Sequence, residues 1–522
     1  MTPELAADLH ALRPELLLLG GAAAALVADL VFGRRGRMLV GILCLLSAVA
    51  ALCAAGSGFA ARLSETATEA PWRVMGLLVH DGLADFFRIL IISATGLVLL
   101  HALVFRDLRD EHRGEFLSLL LATALGACLL VSTDHLLMLL LGMEMLSLPS
   151  YLLAGWQKKE RRSSEAALKY LVYGALASAL MVFGFSLLYG LSGSLWMRDV
   201  AMAVVQNWEA ADVLRNSTVV FAMVLVFAGL GFKIAAFPFH FWAPDVYEGS
   251  PTPVTTFLAV ASKAAGFGLL VRFVDGVFLS STAISGDWTA RVSHLLAVLA
   301  AVTMTYGNIT AVLQRNVKRL LAYSSISHAG YLLMGVAVMT RYLPGGQEQE
   351  PGFATGLGLQ ALIFYLVTYY LATLGAFACA MALANRFGAE DTDDYNGLGW
   401  SAPWIGGALV VFLASLTGLP PTAGFMGKLM LFRAAFDADL AWLAVVAALN
   451  SVVALFYYFK LARALFLRHA VGGEAAAATP AHGVLPVLAM ASIVLLAAAT
   501  FWYGVGGPGI DSLMGWVEAA RT

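Results

Sequence analysis

Apolar residues run along this chain in long blocks joined by short polar links. About fourteen blocks reach the length of about 18 residues that a bilayer-crossing helix needs. They run near 15–33, 38–60, 82–105, 115–132, 135–155, 166–190, 217–240, 253–274, 293–313, 318–340, 355–384, 404–433, 440–466 and 484–504. The pattern predicts an all-α polytopic membrane protein. An even number of crossings puts both termini on one side.

Two blocks are interrupted. The seventh carries Lys233, Pro238 and His240 within Gly231-Phe232-Lys233-Ile234-Ala235-Ala236-Phe237-Pro238-Phe239-His240. The twelfth carries Leu416-Thr417-Gly418-Leu419-Pro420-Pro421-Thr422-Ala423-Gly424-Phe425-Met426-Gly427-Lys428. Proline removes a backbone donor and clashes with the preceding turn, so each helix should break near its prolines. Inside a membrane the freed carbonyls must be met by protein or water. The breaks stand five helices apart, an odd number, so they point in opposite directions. Paired interrupted helices of this kind mark inverted-repeat transporters. The predicted organisation is an N-terminal three-helix segment (1–114), a first five-helix repeat (115–274, helices 4–8), a second, inverted repeat (275–470, helices 9–13) and a C-terminal helix with its tail (471–522).

Composition agrees: 60% of the 522 residues are hydrophobic and 13% charged, far from the soluble average. Charge is concentrated in links. Arg34 to Arg37, Arg106 to Arg113, Lys158 to Arg162 and Arg315 to Arg319 all fall on one side. Roughly sixteen Lys and Arg on that side against ten on the other make it cytoplasmic by the positive-inside rule, with both termini outside. The N-terminal Met1-Thr2-Pro3-Glu4-Leu5 lacks the basic start of a signal peptide. Cys44, Cys53, Cys128 and Cys379 lie singly, without metal or redox spacing. Gly427-Lys428 imitates the tail of a phosphate loop, but Thr422 and Leu429 break that motif. No nucleotide or redox cofactor is expected on this chain.

The remaining charges lie inside predicted spans: Glu144, Lys169, Lys233, Lys263 and Lys428, with His328 in a hydroxyl-rich run, Tyr323-Ser324-Ser325-Ile326-Ser327-His328. Ionisable groups at this depth usually line a polar path. A desolvated lysine gives up its proton more readily, and a nearby carboxylate restores its hold. Such a set suits a proton relay, with Glu144 set against Lys169 or Lys233 as a switch. Each residue also has a plainer reading. The lysines and Glu144 can be fixed ion-pair partners, and Lys169 follows Glu165 by four residues, a helix-surface pair. His328 can be a satisfied core histidine, and His240 a polar plug at the break. Arg88, Arg272 and Lys460 lie near helix ends, where snorkelling to the surface is expected. Asp245 and Glu248 can cap or pair at the cytoplasmic surface.

The runs Phe232 to Trp242, Pro244 to Thr256, Lys318 to His328 and Leu416 to Lys428 resemble the antiporter-like subunits of bacterial proton-pumping NADH–quinone oxidoreductase, respiratory complex I. Pro244-Asp245-Val246-Tyr247-Glu248-Gly249 is similar to the subunit N branch rather than L or M. The resemblance covers essentially the whole chain. It implies Glu144 and Lys233 as the charge pair of a first half-channel, with Lys169 near Glu144. Lys263 and His328 would lie on a central axis, and Lys428 would be the outlet lysine. NADH, FMN, iron–sulfur clusters and quinone would reside on partner subunits. The implied partners are the other membrane-arm subunits, including K and M homologues, and the lipid bilayer of the bacterial inner membrane, with no nucleic acid. A subunit of a multisubunit sodium–proton antiporter, and a non-conducting assembly subunit, are the alternatives.

Overall fold

The computed structural model describes residues 3–63, 72–105, 113–209, 213–279, 286–341, 355–468 and 484–506, with 510–511 and 514–515. The basic stretch 106–112 and the tail from 516 lie outside the described residues.

The long helices are α1 (Arg13–Phe32), α2 (Arg37–Leu63), α3 (Gly82–Val104), α4 (Arg113–Val131), α5 (Leu136–Ala154), α6 (Arg161–Ser192) and α7 (Val213–Ile234). They continue with α8 (Thr252–Leu279), α9 (Gly286–Val312), α10 (Val317–Met339) and α11 (Thr355–Phe387). The last are α12, in two halves (Pro403–Thr417 and Ala423–Asp437), α13 (Ala441–Leu467) and α14 (Val484–Trp502). Among the described residues, 12 helices are long and apolar enough to cross a membrane. The apolar stretches Pro403–Thr417 and Pro486–Trp502 are shorter, so two expected spans fall below full crossing length.

The helices alternate between two faces. One carries a hairpin, β1 (Trp72–Val74) antiparallel to β2 (Leu78–His80). Here it is termed the hairpin face. On the opposite face, the loop after α11 packs against the start of α10, with Val317 N donating to Glu390 O at 2.9 Å and Thr392 N to Arg315 O at 2.8 Å. The apolar 18-residue stretches of α8, α10 and α11 are buried throughout by the other helices. Hydropathy alone would allow them to face lipid; their polar side chains explain why they do not.

Both interruptions are present, with boundaries that differ from the expected spans. The seventh helix ends at Ile234 rather than near 240, since Ala235 takes a positive φ of 56° and Pro238 follows. A separate short helix, Trp242–Gly249, then leads to the opposite face. The block expected at 404–433 is two helices that meet at the expected break, where Gly418 to Thr422 leave helical geometry. α7 runs from the hairpin face and α12 towards it.

Candidate functional site

At the first break, three freed or polar groups find partners. Trp242 Nε1 donates to the Phe232 carbonyl at 3.0 Å, and Phe237 N donates to Thr303 Oγ1 at 3.2 Å. Lys233, one residue before the end of α7, is buried and donates to Ser147 Oγ of α5 at 3.0 Å. Ser147 lies three residues after Glu144, on the same helix face. Glu144 is half-buried and accepts from Ser178 Oγ of α6 at 2.5 Å. The structure thus brings Glu144 and Lys233 to adjoining turns of α5. Among the described residues they form no direct ion pair, and serine hydroxyls hold both.

Lys169 is elsewhere. Its ammonium lies 2.7 Å from Glu165 and 2.5 Å from Asp245. It stands nine residues from Ser178 on α6, roughly 13 Å along the helix axis, so it does not sit against Glu144 as the resemblance implied. Asp245 also meets Arg319 of α10 at 2.5 Å, and Arg319 meets Glu248 at 3.0 Å. Burial alone would raise the Asp245 carboxyl; hydrogen bonds from Lys169 and Arg319 outweigh it and hold the group below its ordinary range. This network therefore persists as pH falls through the usual aspartate range and is lost only below it. Beside it lies a polar cavity of about 490 Å³ on the opposite face, lined by Arg161, Glu248, Thr252, Lys318, Glu390 and Tyr395.

Lys263 lies mid-way along α8, directly after a π-helical turn, Leu258–Ser262. Such a turn frees a carbonyl from the regular ladder and is common at functional sites. Tyr369 of α11 donates to that turn at Ala259 O, 3.0 Å, and its hydroxyl also lies 3.0 Å from Ser325 Oγ. Lys263 Nζ donates to the Ser325 carbonyl at 2.5 Å and lies 5.8 Å from the centre of the Tyr369 ring. His328 follows: its ring is 5.2 Å from that of Tyr369, its Nδ1 is 2.6 Å from Tyr365 Oη, and its Nε2 is 3.2 Å from Tyr458 Oη. Tyr458 Oη is also bonded to Ser324 Oγ. Tyr331 stands 5.9 Å from His328 by ring centres, and Lys428 Nζ lies 4.6 Å over the Tyr331 ring. Lys263, Tyr369, His328, Tyr331 and Lys428 thus form one buried string of adjoining polar groups.

At the second break, Lys428 turns back on its own helix and donates to Leu416 O at 3.2 Å and Thr417 O at 2.8 Å. These carbonyls end the first half of α12, where the helix dipole is negative. Gly418, with φ of 87°, terminates that half. A β-carbon there would lie 2.8 Å from Lys428 Cδ.

Of the residues read as peripheral, Lys460 donates to Gln314 O at 3.3 Å near the opposite face. Arg88 and Arg272 do not snorkel. Arg88 is fully buried 2.7 Å from Glu15 and 3.1 Å from Asp85, and Arg272 pairs with Asp81 and donates to Val131 O. Their carboxylate partners come from distant chain segments, which helix-end position does not reveal. His240 is buried among Phe237, Phe241 and Tyr306, and neither ring nitrogen has a partner among the described residues. Sequence reasoning missed Ser147, Ser178, Tyr365, Tyr369 and Tyr458. The one signal for the first two tyrosines of α11 was their four-residue spacing within an apolar block.

No group of three or more His, Cys, Asp or Glu suited to a metal ion occurs among the described residues. Glutamate, lysines, histidine and tyrosines strung between two broken helices are the chemistry of a charge-conducting helical membrane protein. Residues 133–454 match the family model described as NADH:quinone oxidoreductase/Mrp antiporter, transmembrane. NADH-quinone oxidoreductase subunit N of Chlorobium chlorochromatii is 43% identical over 82% of this chain and 80% of that protein. Its counterpart in an Anaeromyxobacter species is 38% identical over 97% and 95%. A chain of respiratory complex I from Thermus thermophilus, solved with bound aureothin, superimposes with a TM-score of 0.71 at 32% identity, covering 94% of this chain and 97% of that one. The chain belongs to the NADH:quinone oxidoreductase/Mrp antiporter membrane family, within its subunit N group.

Proposed function

We propose that this chain is the proton-translocating subunit N of a bacterial NADH–quinone oxidoreductase. The observation that carries the reading is the buried string from Lys263 through Tyr369, His328 and Tyr331 to Lys428. With Glu144 and Lys233 at its first-half end, it supplies titratable groups and hydroxyls across the interior of one bundle. Ionisable groups enclosed in this way are functional by default. Helices α4–α8 and α9–α13 act as inverted repeats, each with one broken helix that can shift against the other. The polar cavity beside Arg161 and Lys318 is the cytoplasmic mouth, and the hairpin face is the outer face of the inner membrane, with both termini there. Lys169, clamped by Glu165 and Asp245, sets the charge at that mouth rather than carrying the proton at Glu144. The redox chemistry of NADH, FMN, iron–sulfur clusters and quinone belongs to partner subunits, with K and M homologues as neighbours in the membrane arm. The chain works as part of a translocase.

The test is direct. A tagged chain should purify with redox subunits, and the reconstituted complex should acidify the liposome lumen when given NADH. Lys263→Ala should reduce that acidification by about tenfold or more, the scale expected for losing a proton-transfer group. Sodium-dependent transport without NADH would instead assign the antiporter branch. Normal pumping by Lys263→Ala would leave the chain an assembly subunit.

A further inference from the structure

An apolar cavity of about 390 Å³ lies beside the first break, between α7 and α9, with Leu270 of α8 and Leu333 of α10 at its back. That volume falls in the range of small-molecule sites, about 300–1,000 Å³. Val220 and Val224 of α7 and Leu295 of α9 line it and are 42%, 56% and 53% exposed. The cavity therefore opens through a crevice between two apolar helix faces that meet the bilayer. Pro238 and Phe239 of the break belong to its wall.

Its polarity is one-ended. Among the described lining residues Arg291 alone is charged, and it stands five residues into α9, at the hairpin-face end. His294 follows one turn later, and Arg341, just after α10, has its Nη1 3.5 Å from His294 Nδ1. The walls are thus apolar along their length and basic at one mouth, the order of groups that an anionic amphiphile matches. Water gains little inside, since it needs about two to four polar partners and apolar side chains offer none. A void there would forfeit dispersion contacts along its lining. A lipid tail at the crevice restores them without leaving hydrocarbon.

The dimensions fit one tail. The α7 residues that line the cavity, from Val220 to Ile234, extend roughly 21 Å along the helix. One leaflet supplies half of a hydrocarbon core of about 30 Å, hence about 15 Å of chain. Measured from Val220, that reaches roughly ten residues along α7, to Leu230 and Gly231. A β-carbon at Gly231 would lie 3.0 Å from Phe239 Cδ2, so the chain end arrives where the break folds back on α7.

We propose that this cavity is a phospholipid site, in which one acyl chain enters between α7 and α9 and ends against Phe239 while an anionic headgroup phosphate sits at Arg291. Arg291 reaches the headgroup level by extending its apolar stem along the helix. A guanidinium carries five donors in a flat fork, so it can hold phosphate oxygens and a protein neighbour together. The site is separate from the translocating string and does not depend on which ion the chain moves. Gly231 and Ile234 of its wall flank Lys233, which turns instead to Ser147 of α5. The lipid chain thus backs the helix end that presents Lys233.

The test uses the assembled complex in liposomes containing phosphatidylglycerol with a photoreactive diazirine at the end of one acyl chain. After illumination and digestion, label should appear in the peptide carrying Gly231 to Phe239. Phosphatidylcholine with the same labelled chain should mark that peptide about fivefold less, the scale of one interfacial arginine. Arg291→Gln should lower the phosphatidylglycerol label to the phosphatidylcholine level. Val224→Trp and Leu295→Trp, which fill the crevice from opposite lips, should each remove the label in complexes of unchanged subunit composition. Label unchanged in both tryptophan variants overturns the site. Equal labelling by the two lipids overturns the headgroup contact at Arg291. Displacement of the label by excess prenylated quinone in the same liposomes would assign the cavity to a quinone tail and overturn the proposal. So would absence of label at Gly231 to Phe239 in the wild type with label elsewhere on the chain, the result expected if a neighbouring subunit closes the crevice.

Discussion

The two broken helices carry the same ingredients and anchor them differently. At the first, the lysine precedes the break and reaches away to a serine on α5, while the Phe232 carbonyl is met by Ala235 N and Trp242 Nε1. At the second, the lysine follows the break and meets the freed Leu416 and Thr417 carbonyls itself. The first ammonium is therefore held by a hydroxyl with a carboxylate one turn away, a contact that can be exchanged. The second is held by the fixed dipoles of a helix end, a contact that resists exchange. On the proposed function, the first lysine is the switchable group and the second the stationed one.

Changes at four positions would break or sharpen this contrast. The largest effect is expected at the switchable end: Lys233→Ala should lower NADH-driven pumping in the assembled complex by about tenfold or more. Near-normal pumping would remove α7 from the path. Glu144→Ala should follow closely, with Glu144→Asp clearly milder because it keeps the charge. Equal losses in the two variants, read as initial pumping rates, would make Glu144 a packing residue. Gly418→Val tests the stationed end. The left-handed backbone disfavours a β-branched residue by about 1–2 kcal/mol, and the side chain would press on Lys428. Lower thermal stability of the purified complex should accompany weaker pumping. Trp242→Phe should have a smaller effect, since it removes one of the two donors to the Phe232 carbonyl and leaves Ala235 N at 3.1 Å, a loss of about 0.5–1.5 kcal/mol. That loss should register in thermal unfolding more than in pumping rate.

Much of this contrast was legible before any coordinates. Long apolar blocks report helices, prolines report breaks, and a lysine inside a block reports a polar interior. What hydropathy cannot report is the partner. Arg88 and Arg272 lie near helix ends, and position alone suggested snorkelling. Glu15 and Asp81, which hold them inside, are 73 and 191 residues away in sequence. Lys169 was expected against Glu144, yet Asp245, 76 residues along the chain, captures it. The tyrosines of α11 read as ordinary apolar bulk, because a phenol counts as hydrophobic until its hydroxyl is seen bonded to His328 or to the π-helical turn of α8. Helix ends near glycine and proline were also blurred, as the early stop of α7 at Ile234 shows.

The enclosure of the apolar stretches of α8, α10 and α11 has a consequence for how the membrane itself acts on the protein. Lys263, His328 and their tyrosines touch no acyl chain of the bilayer. Changes in bilayer thickness are taken up by tilt of the peripheral helices that meet the lipid. Transport through the centre should therefore vary little between thin and thick lipid mixtures, as current in a sheathed wire is indifferent to the medium around it.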